Sequence, residues 1–293
     1  MKTNTGFLTL SLATAVVVAG VSSVWGEIAL EAGDWVGNGS DTKASQYANW
    51  HGNAIPTANM RFSSGAIGKT VTFDAVYGAT SYVWTGTDIA GAFYDPTTGE
   101  THPVIWEATD PSYGINQTAN RIIIADSANQ NGALWIKSGT YWTADQLRIA
   151  YAAAPVAAWV YLEEGSLSSG GDLRMCEGNG AIGRLIVGSG DPAKHATLTT
   201  PITKWAVVSA SGGDSQITLR AGGEFHVAYC CQRDTTKSKL VFDGGAFVKD
   251  GDISNQVGYL YGGDYPSVTD PASRPVDQQI RMEVTANGGV IDI

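Results

Sequence analysis

Charge is scarce in this 293-residue chain: Asp, Glu, Lys and Arg together make up 16% of it. Positive charge is scarcest, with 18 Lys and Arg against 28 Asp and Glu. Nucleic-acid phosphates repel such a chain, so no nucleic-acid partner is expected. Histidine numbers four, and His51, His102, His195 and His226 are scattered. They form no His-Glu-x-x-His and no spaced Cys/His set, which leaves zinc without support. There is no Gly-x-Ser-x-Gly elbow to mark a serine hydrolase. Beyond the first two dozen residues no apolar run is long enough to span a membrane. Convincing helical periodicity is also missing from the same region. The run Tyr151-Ala152-Ala153-Ala154-Pro155 has helical propensity, but Pro155 interrupts it and the surrounding repeat places it at a turn.

Cysteine is rare and odd in number: Cys176, Cys230 and Cys231. Export would permit one disulfide, from Cys176 to either of the other two, if their strands are close neighbours. A bridge needs Cα atoms within about 7 Å, and strands two places apart exceed that at ~4.8 Å each. Small side chains filling an interior are the competing reading.

What the chain does have is a signal-peptide pattern at its start. Lys2 precedes an apolar stretch from Phe7 to Val18, and Val24-Trp25-Gly26 precedes Glu27 as a cleavage point. Removing residues 1–26 removes Lys2 alone among the charged residues. That leaves 17 Lys and Arg against 28 Asp and Glu, a net −11. Glycine reaches 36 residues without a three-residue period, and 43% of the chain is hydrophobic, so neither collagen nor disorder fits. Many short strands joined by many turns does fit.

A block then recurs. Arg121-Ile122-Ile123-Ile124-Ala125, Gln146-Leu147-Arg148-Ile149-Ala150 and Asp172-Leu173-Arg174-Met175-Cys176 share one pattern, and Ile122, Leu147 and Leu173 lie 25 and 26 residues apart. Each block is followed by a second apolar strand, and the first two of those strands close on Gly139 and Gly165. A period of about two dozen residues written in short strands marks a stacked solenoid. One such coil cannot bury its own apolar face; stacking buries a continuous interior and pairs each backbone amide with the next coil. Closing glycines recur at Gly222 and Gly244, and the 57-residue gap after Gly165 holds two longer coils. Residues 27–120 read as an N-terminal cap with looped first rungs. Asp95-Pro96-Thr97-Thr98-Gly99-Glu100 and Asp110-Pro111-Ser112-Tyr113-Gly114 are turn signals within it. Residues 121–293 read as regular rungs, and Met282 to Ile293 still carries the repeat, as if the native chain continued or this were a fragment of it.

The N-terminal segment carries Trp35-Val36-Gly37, then Asn49-Trp50-His51-Gly52-Asn53-Ala54-Ile55-Pro56, then Met60-Arg61-Phe62. This resembles the opening of bacterial autotransporter-type passengers and related exported β-helix repeat proteins. The blocks from 121 onward are similar to their passenger-associated strand repeats. Where those repeats usually place Gly after the first strand, this chain has Ala125, Ala150 and Cys176. No C-terminal translocator barrel and no sorting helix with a basic tail accompany them. The resemblance implies an all-β, right-handed parallel β-helix with an irregular cap, secreted or on the outer surface of a bacterium.

Candidate chemistry is thin. Gly178-Asn179-Gly180-Ala181-Ile182-Gly183 has dinucleotide-loop spacing, but a strand-like segment follows where a helix is required. Asp250-Gly251-Asp252-Ile253-Ser254-Asn255 begins like a calcium loop, but Asn255 and Tyr261 stand where Gly and a bidentate Glu belong. No catalytic residue, cofactor or metal is assigned. Exposed aromatics stack on sugar faces, which makes Trp135, Trp142 and Trp159 the candidate glycan platform, with packing at coil corners as the bland alternative. The expected role is structural or adhesive, with glycans or surface and matrix proteins as partners. The alternative is a polysaccharide-active enzyme, lyase or hydrolase. It would use carboxylates among Glu163, Glu164, Asp172, Glu177 and Asp214, and a basic residue among Arg174, Arg184 and Arg220.

Overall fold

The computed structural model describes residues 30–62, 64–78, 83–85, 94–125, 131–152, 156–201, 205–209, 213–227, 229–232, 238–249, 260–262 and 280–292. The signal-peptide segment, Ala153-Ala154-Pro155 and the Asp250–Asn255 loop lie outside the described residues. The chain deals its strands in rotation to three sheets. A first circuit supplies β1 (Met60–Phe62), β2 (Thr70–Phe73) and β3 (Val76–Tyr77). The second supplies β4 (Val83–Thr85), β5 (Val104–Ala108) and β6 (Gly114–Gln117), and the third β7 (Ile122–Ile124), β8 (Asn131–Ile136) and β9 (Thr140–Thr143). The fourth supplies β10 (Leu147–Ile149), β11 (Ala157–Leu162) and β12 (Gly165–Ser169), and the fifth β13 (Leu173–Met175), β14 (Ile182–Val187) and β15 (Ala196–Thr199). Then come β16 (Trp205–Ser209), β17 (Asp214–Arg220) and β18 (Gly223–Val227), followed by β19 (Tyr229–Gln232), β20 (Lys239–Asp243) and β21 (Ala246–Lys249). The eighth closes with β22 (Leu260–Gly262), β23 (Arg281–Val284) and β24 (Val290–Asp292).

Each strand pairs in parallel with the strand three places on, giving three eight-stranded sheets with open edges and no barrel closure. The fold is all-β, parallel and solenoid-like. Among the described residues there is no α-helix, only two short 3-10 turns, and no helix long and apolar enough to cross a membrane.

Register follows the sequence repeat. Leu147 faces Ile122 on one side and Leu173 on the other. Alternation then sorts side chains, since neighbours on a strand point to opposite faces. The inward rows run Leu134, Val160, Leu185, Ile217 and Leu240 in one sheet and Tyr141, Leu167, Leu198, Phe225 and Phe247 in another, all buried. The early circuits fill this column with aromatics: Trp106 packs on Phe62 and Phe73 and stacks on Tyr141 at 5.0 Å. In-register pairing starts at Met60 against Val83, so the looped first rungs belong to the same three sheets.

The opening tryptophan motifs form the lid on this column. Trp35 and Trp50 are buried edge to face at 5.1 Å, and Trp50 packs on Phe62 of β1. The Trp50 ring N–H donates to the Ala44 carbonyl at 2.9 Å. Asn49, also buried, donates to the carbonyls of Asp41 and Lys43 and accepts from the Gly39 amide.

Two corners explain the repeat's punctuation. After β7, β10 and β13 the chain turns at Ala125, Ala150 and Cys176, with φ of 56°, 51° and 48°. These left-handed angles suit glycine and strain a residue with a Cβ. Between the second and third sheets the corner falls at glycine itself. Gly165 has φ of 94°, and a Cβ there would sit 2.2 Å from the Gly139 carbonyl oxygen of the previous circuit. The 57-residue gap after Gly165 resolves into two circuits, because Gly165 pairs with Ala196 and Ala196 with Gly223.

Candidate functional site

The outer face of the second sheet carries the most concentrated chemistry. On β8 and β11, the residues that alternation turns outward are Trp135, Trp159 and Tyr161. Trp135 and Tyr161 are register partners one circuit apart, and their rings stack at 5.7 Å with 23° between planes. Two residues back on the same strand, Trp159 meets Tyr161 edge to face at 5.8 Å. Lys137 places its ammonium 4.7 Å from the Trp135 ring centre. All three aromatics are partly exposed.

Glu163 anchors this row. One carboxylate oxygen accepts from the Trp135 ring N–H at 2.8 Å, and the other binds the Lys194 ammonium at 2.7 Å. That hydrogen bond holds Lys194 above the ordinary lysine range. Burial raises the Tyr161 phenol, and the nearby Glu163 charge adds to the effect, so Tyr161 is a neutral ring with a hydroxyl at physiological pH.

The next two circuits continue the face with cations and amides. Arg184 lies opposite Trp159 in register, and Gln216 opposite Arg184. Arg184 is ion-paired to Asp214 at 2.9 Å. Arg220 holds its guanidinium 5.8 Å from the Tyr161 ring centre. The Gln216 amide donates to the Thr218 hydroxyl at 3.0 Å.

A loop from the second circuit overhangs this surface. Tyr94 and Thr101 bridge antiparallel, and Gly99, at φ of 73°, completes the reversal that Asp95 and Pro96 begin. The Gly99 amide donates to the Asp95 carbonyl at 2.8 Å and the Thr97 amide to the Asp95 carboxylate; that backbone bond lowers the Asp95 carboxyl. Tyr94 is 7% exposed. Together with Gly99 it forms one wall of a cleft of about 320 Å³ whose floor is Trp159, Arg184, Ile186, Gln216, Thr218 and Arg220. An aromatic ring, an apolar side chain, two guanidiniums, an amide and a hydroxyl converge there, a set suited to a ligand with both apolar faces and polar edges.

Of the three tryptophans singled out from sequence, Trp135 and Trp159 share this face. Trp142 does not: it lies on β9 in the third sheet, between Asn116 and Ser168 in register. The corner at Gly139 separates β8 from β9 and turns Trp142 onto another side. The candidate carboxylates are likewise dispersed. Glu163 and Asp214 edge the cleft face, whereas Asp172 and Glu177 both pair with Arg174 beside the first sheet. Glu164 is exposed at the corner leading to β12. Among the described residues no group of three or more His, Cys, Asp or Glu converges as a metal site would require.

Tyr94 and Tyr161 were not singled out from sequence. Tyr161 had a readable signal, since it follows Trp159 by two on an alternating strand and Trp135 by one 26-residue repeat. Tyr94 had none, because its loop interrupts the repeat. The cysteines are settled in part: β13 and β19 flank β16 in the first sheet, and Cys230 lines up through Ala206 with Leu173 rather than with Cys176, so Cys176 and Cys230 stand more than two strand spacings of ~4.8 Å apart, beyond disulfide reach. Both are buried. The Gly178–Gly183 segment leads into β14, a strand.

Comparison with known proteins gives no match: no family model, no curated protein and no solved structure is significantly similar to this chain.

Proposed function

We propose that the chain is a secreted or cell-surface, right-handed parallel β-helix of the autotransporter-passenger type, with a structural and adhesive role and a lateral cleft that holds glycans. The observation that carries the glycan reading is the stacked Trp135–Tyr161 pair with Trp159 at its edge, leading into a cleft lined with side chains that hydrogen-bond hydroxyls. Sugar rings present apolar C–H faces to aromatic planes and hydroxyl edges to amides and guanidiniums. Support for the rod comes from the rotation of strands through three parallel sheets, and support for export from the signal pattern in residues 1–26.

The polysaccharide-active alternative has weaker support. The cleft floor offers cations and rings, and Glu163, the carboxylate beside the aromatic row, is held on both oxygens by Trp135 and Lys194. The test is a glycan array with the full chain and with Trp159→Ala, followed by assay of bound glycans for new chain ends. Binding that Trp159→Ala abolishes, with no new ends, supports the adhesive reading. New chain ends would favour the enzyme, and an array with no bound glycan would remove the glycan reading altogether.

A further inference from the structure

The sign of charge in the cleft runs against the chain. The protein carries a formal net charge of −10, yet the cleft floor contains two guanidiniums, Arg184 and Arg220, and no carboxylate among the described residues lines it. The two differ in commitment. Arg184 is bound by Asp214. Arg220 approaches the face of Tyr161, and among the described residues no carboxylate lies within ion-pair distance of it. Its register partner Asp243 accepts from Thr285 and Asn287 through Oδ1, at 2.7 Å each, and feels Arg220 as a nearby charge only. Lys239 extends the cationic row one circuit further, opposite Gln216, with Glu283 as its partner.

Position matters as much as charge. Trp159 and Arg220 flank one ring: the Trp159 ring centre and the Arg220 guanidinium each lie 5.8 Å from the ring centre of Tyr161. In register Trp159 is followed by Arg184 and then Gln216, and Arg220 lies further along β17, so a ligand running obliquely across the face would rest a ring on Trp159 and bring a substituent of a following ring to Arg220. A guanidinium presents paired donors in a plane, which match carboxylate or sulfate oxygens better than a neutral hydroxyl.

We infer that the cleft selects anionic glycans, chains whose sugars carry carboxylate or sulfate groups, with Trp159 as the ring platform and Arg220 as the anion contact. This rests on the glycan reading above and narrows it. The experiment is calorimetric titration of the full chain with three oligosaccharides of equal length: neutral hexose, uronate and sulfated. Each is repeated with Trp159→Ala, Arg220→Gln and Arg220→Lys, with native unfolding curves as the check on folding. At least one anionic probe is expected to bind about tenfold or more tighter than the neutral one, the scale of a charge-assisted hydrogen bond. Arg220→Gln should bring it down to the neutral value, Arg220→Lys should keep part of the preference, and Trp159→Ala should weaken all three. The preference should also shrink as salt rises from about 0.1 to about 1 M, where screening shortens from ~10 to ~3 Å. The uronate and sulfated arms decide which acid group is read. Equal binding of all three probes, unchanged by Arg220→Gln, overturns the anion selectivity and leaves the glycan site standing. Anion binding that ignores both Trp159→Ala and Arg220→Gln places the anion elsewhere and also overturns it. If no probe binds, both readings fall together.

Discussion

Gly165 and Gly190 share a backbone angle and differ in what surrounds it, which makes them a matched pair. Their φ values are 94° and 92°. A Cβ at Gly190 would meet nothing within 4 Å. A Cβ at Gly165 would lie 2.2 Å from the Gly139 oxygen and 2.8 Å from the Gly139 nitrogen, inside the 3.0 Å that real Cβ contacts respect. Gly190→Ala should therefore cost only the left-handed strain of ~1–2 kcal/mol, less the ~0.4–1 kcal/mol by which alanine restricts the unfolded chain. The net is a loss of about 1 kcal/mol. Gly165→Ala carries the same balance and must also push two circuits apart. The shift threatens the hydrogen bonds from Gly165 to the His195 carbonyl at 2.8 Å and from Ser166 to the Gly139 carbonyl at 2.9 Å. Overpacking costs ~1–3 kcal/mol and each unmade buried hydrogen bond ~1–3 kcal/mol, so Gly165→Ala should exceed Gly190→Ala by about 3 kcal/mol or more. Denaturant unfolding by circular dichroism measures the difference, with amide exchange at Ser166 reporting the local effect. Costs that agree within about 1 kcal/mol would refute the reasoning, because the stacked corner would then demand only the angle and not the space.

Three further outcomes are expected. Ala150→Gly should change stability by less than about 1 kcal/mol, since relief of the 51° φ offsets the added chain entropy. Ala158→Gly, at a buried strand position, lacks that relief and should cost about 1–2 kcal/mol; denaturant midpoints of the two compare them. Hydrogen bonds from Thr285 and Asn287 hold the Asp243 carboxyl below its ordinary 3.8. The stability it lends the last circuit is therefore complete above that value and lost as pH falls through the lower folded one. Amide exchange in Arg281–Val284 should rise on acidification below about pH 4, and Asp243→Asn should flatten that dependence. Burial pushes the Cys176 thiol far above its usual range, so alkylation at pH 8 followed by peptide mass mapping should find it unmodified until denaturant is added; rapid native labelling would contradict its place in the interior.

The repeat was legible where its length held constant. Ile122, Leu147 and Leu173 become register partners because their corners differ by a single residue. The turns at Asp95 and Asp110 were legible because Pro, Asp and Gly act locally. The non-glycine corners at Ala125, Ala150 and Cys176 were visible only as departures from a resembling pattern; the positive φ shows why glycine is the usual choice there. Earlier circuits were harder to read: Val83 pairs with Ile122 across 39 residues, and insertions of that size erase periodicity while leaving backbone pairing intact. Placing Trp142 on one side with Trp135 and Trp159 overlooks the corner at Gly139, which moves it to the third sheet. The site itself was half legible. Rings at repeat spacing mark one outward row, but nothing local to Tyr94 tells that its loop crosses to a later circuit.

That crossing changes how the stack should come apart. Coils that touch only their immediate neighbours unzip from either end, one at a time. Here a hairpin rooted before β5 shares a cleft with side chains of β11, β14 and β17, which brings the second circuit beside the fourth, fifth and sixth. A molecule lodged in that cleft would tie together circuits that otherwise meet only through their neighbours, so that a loaded rod under tension should yield at its ends before it yields at its middle.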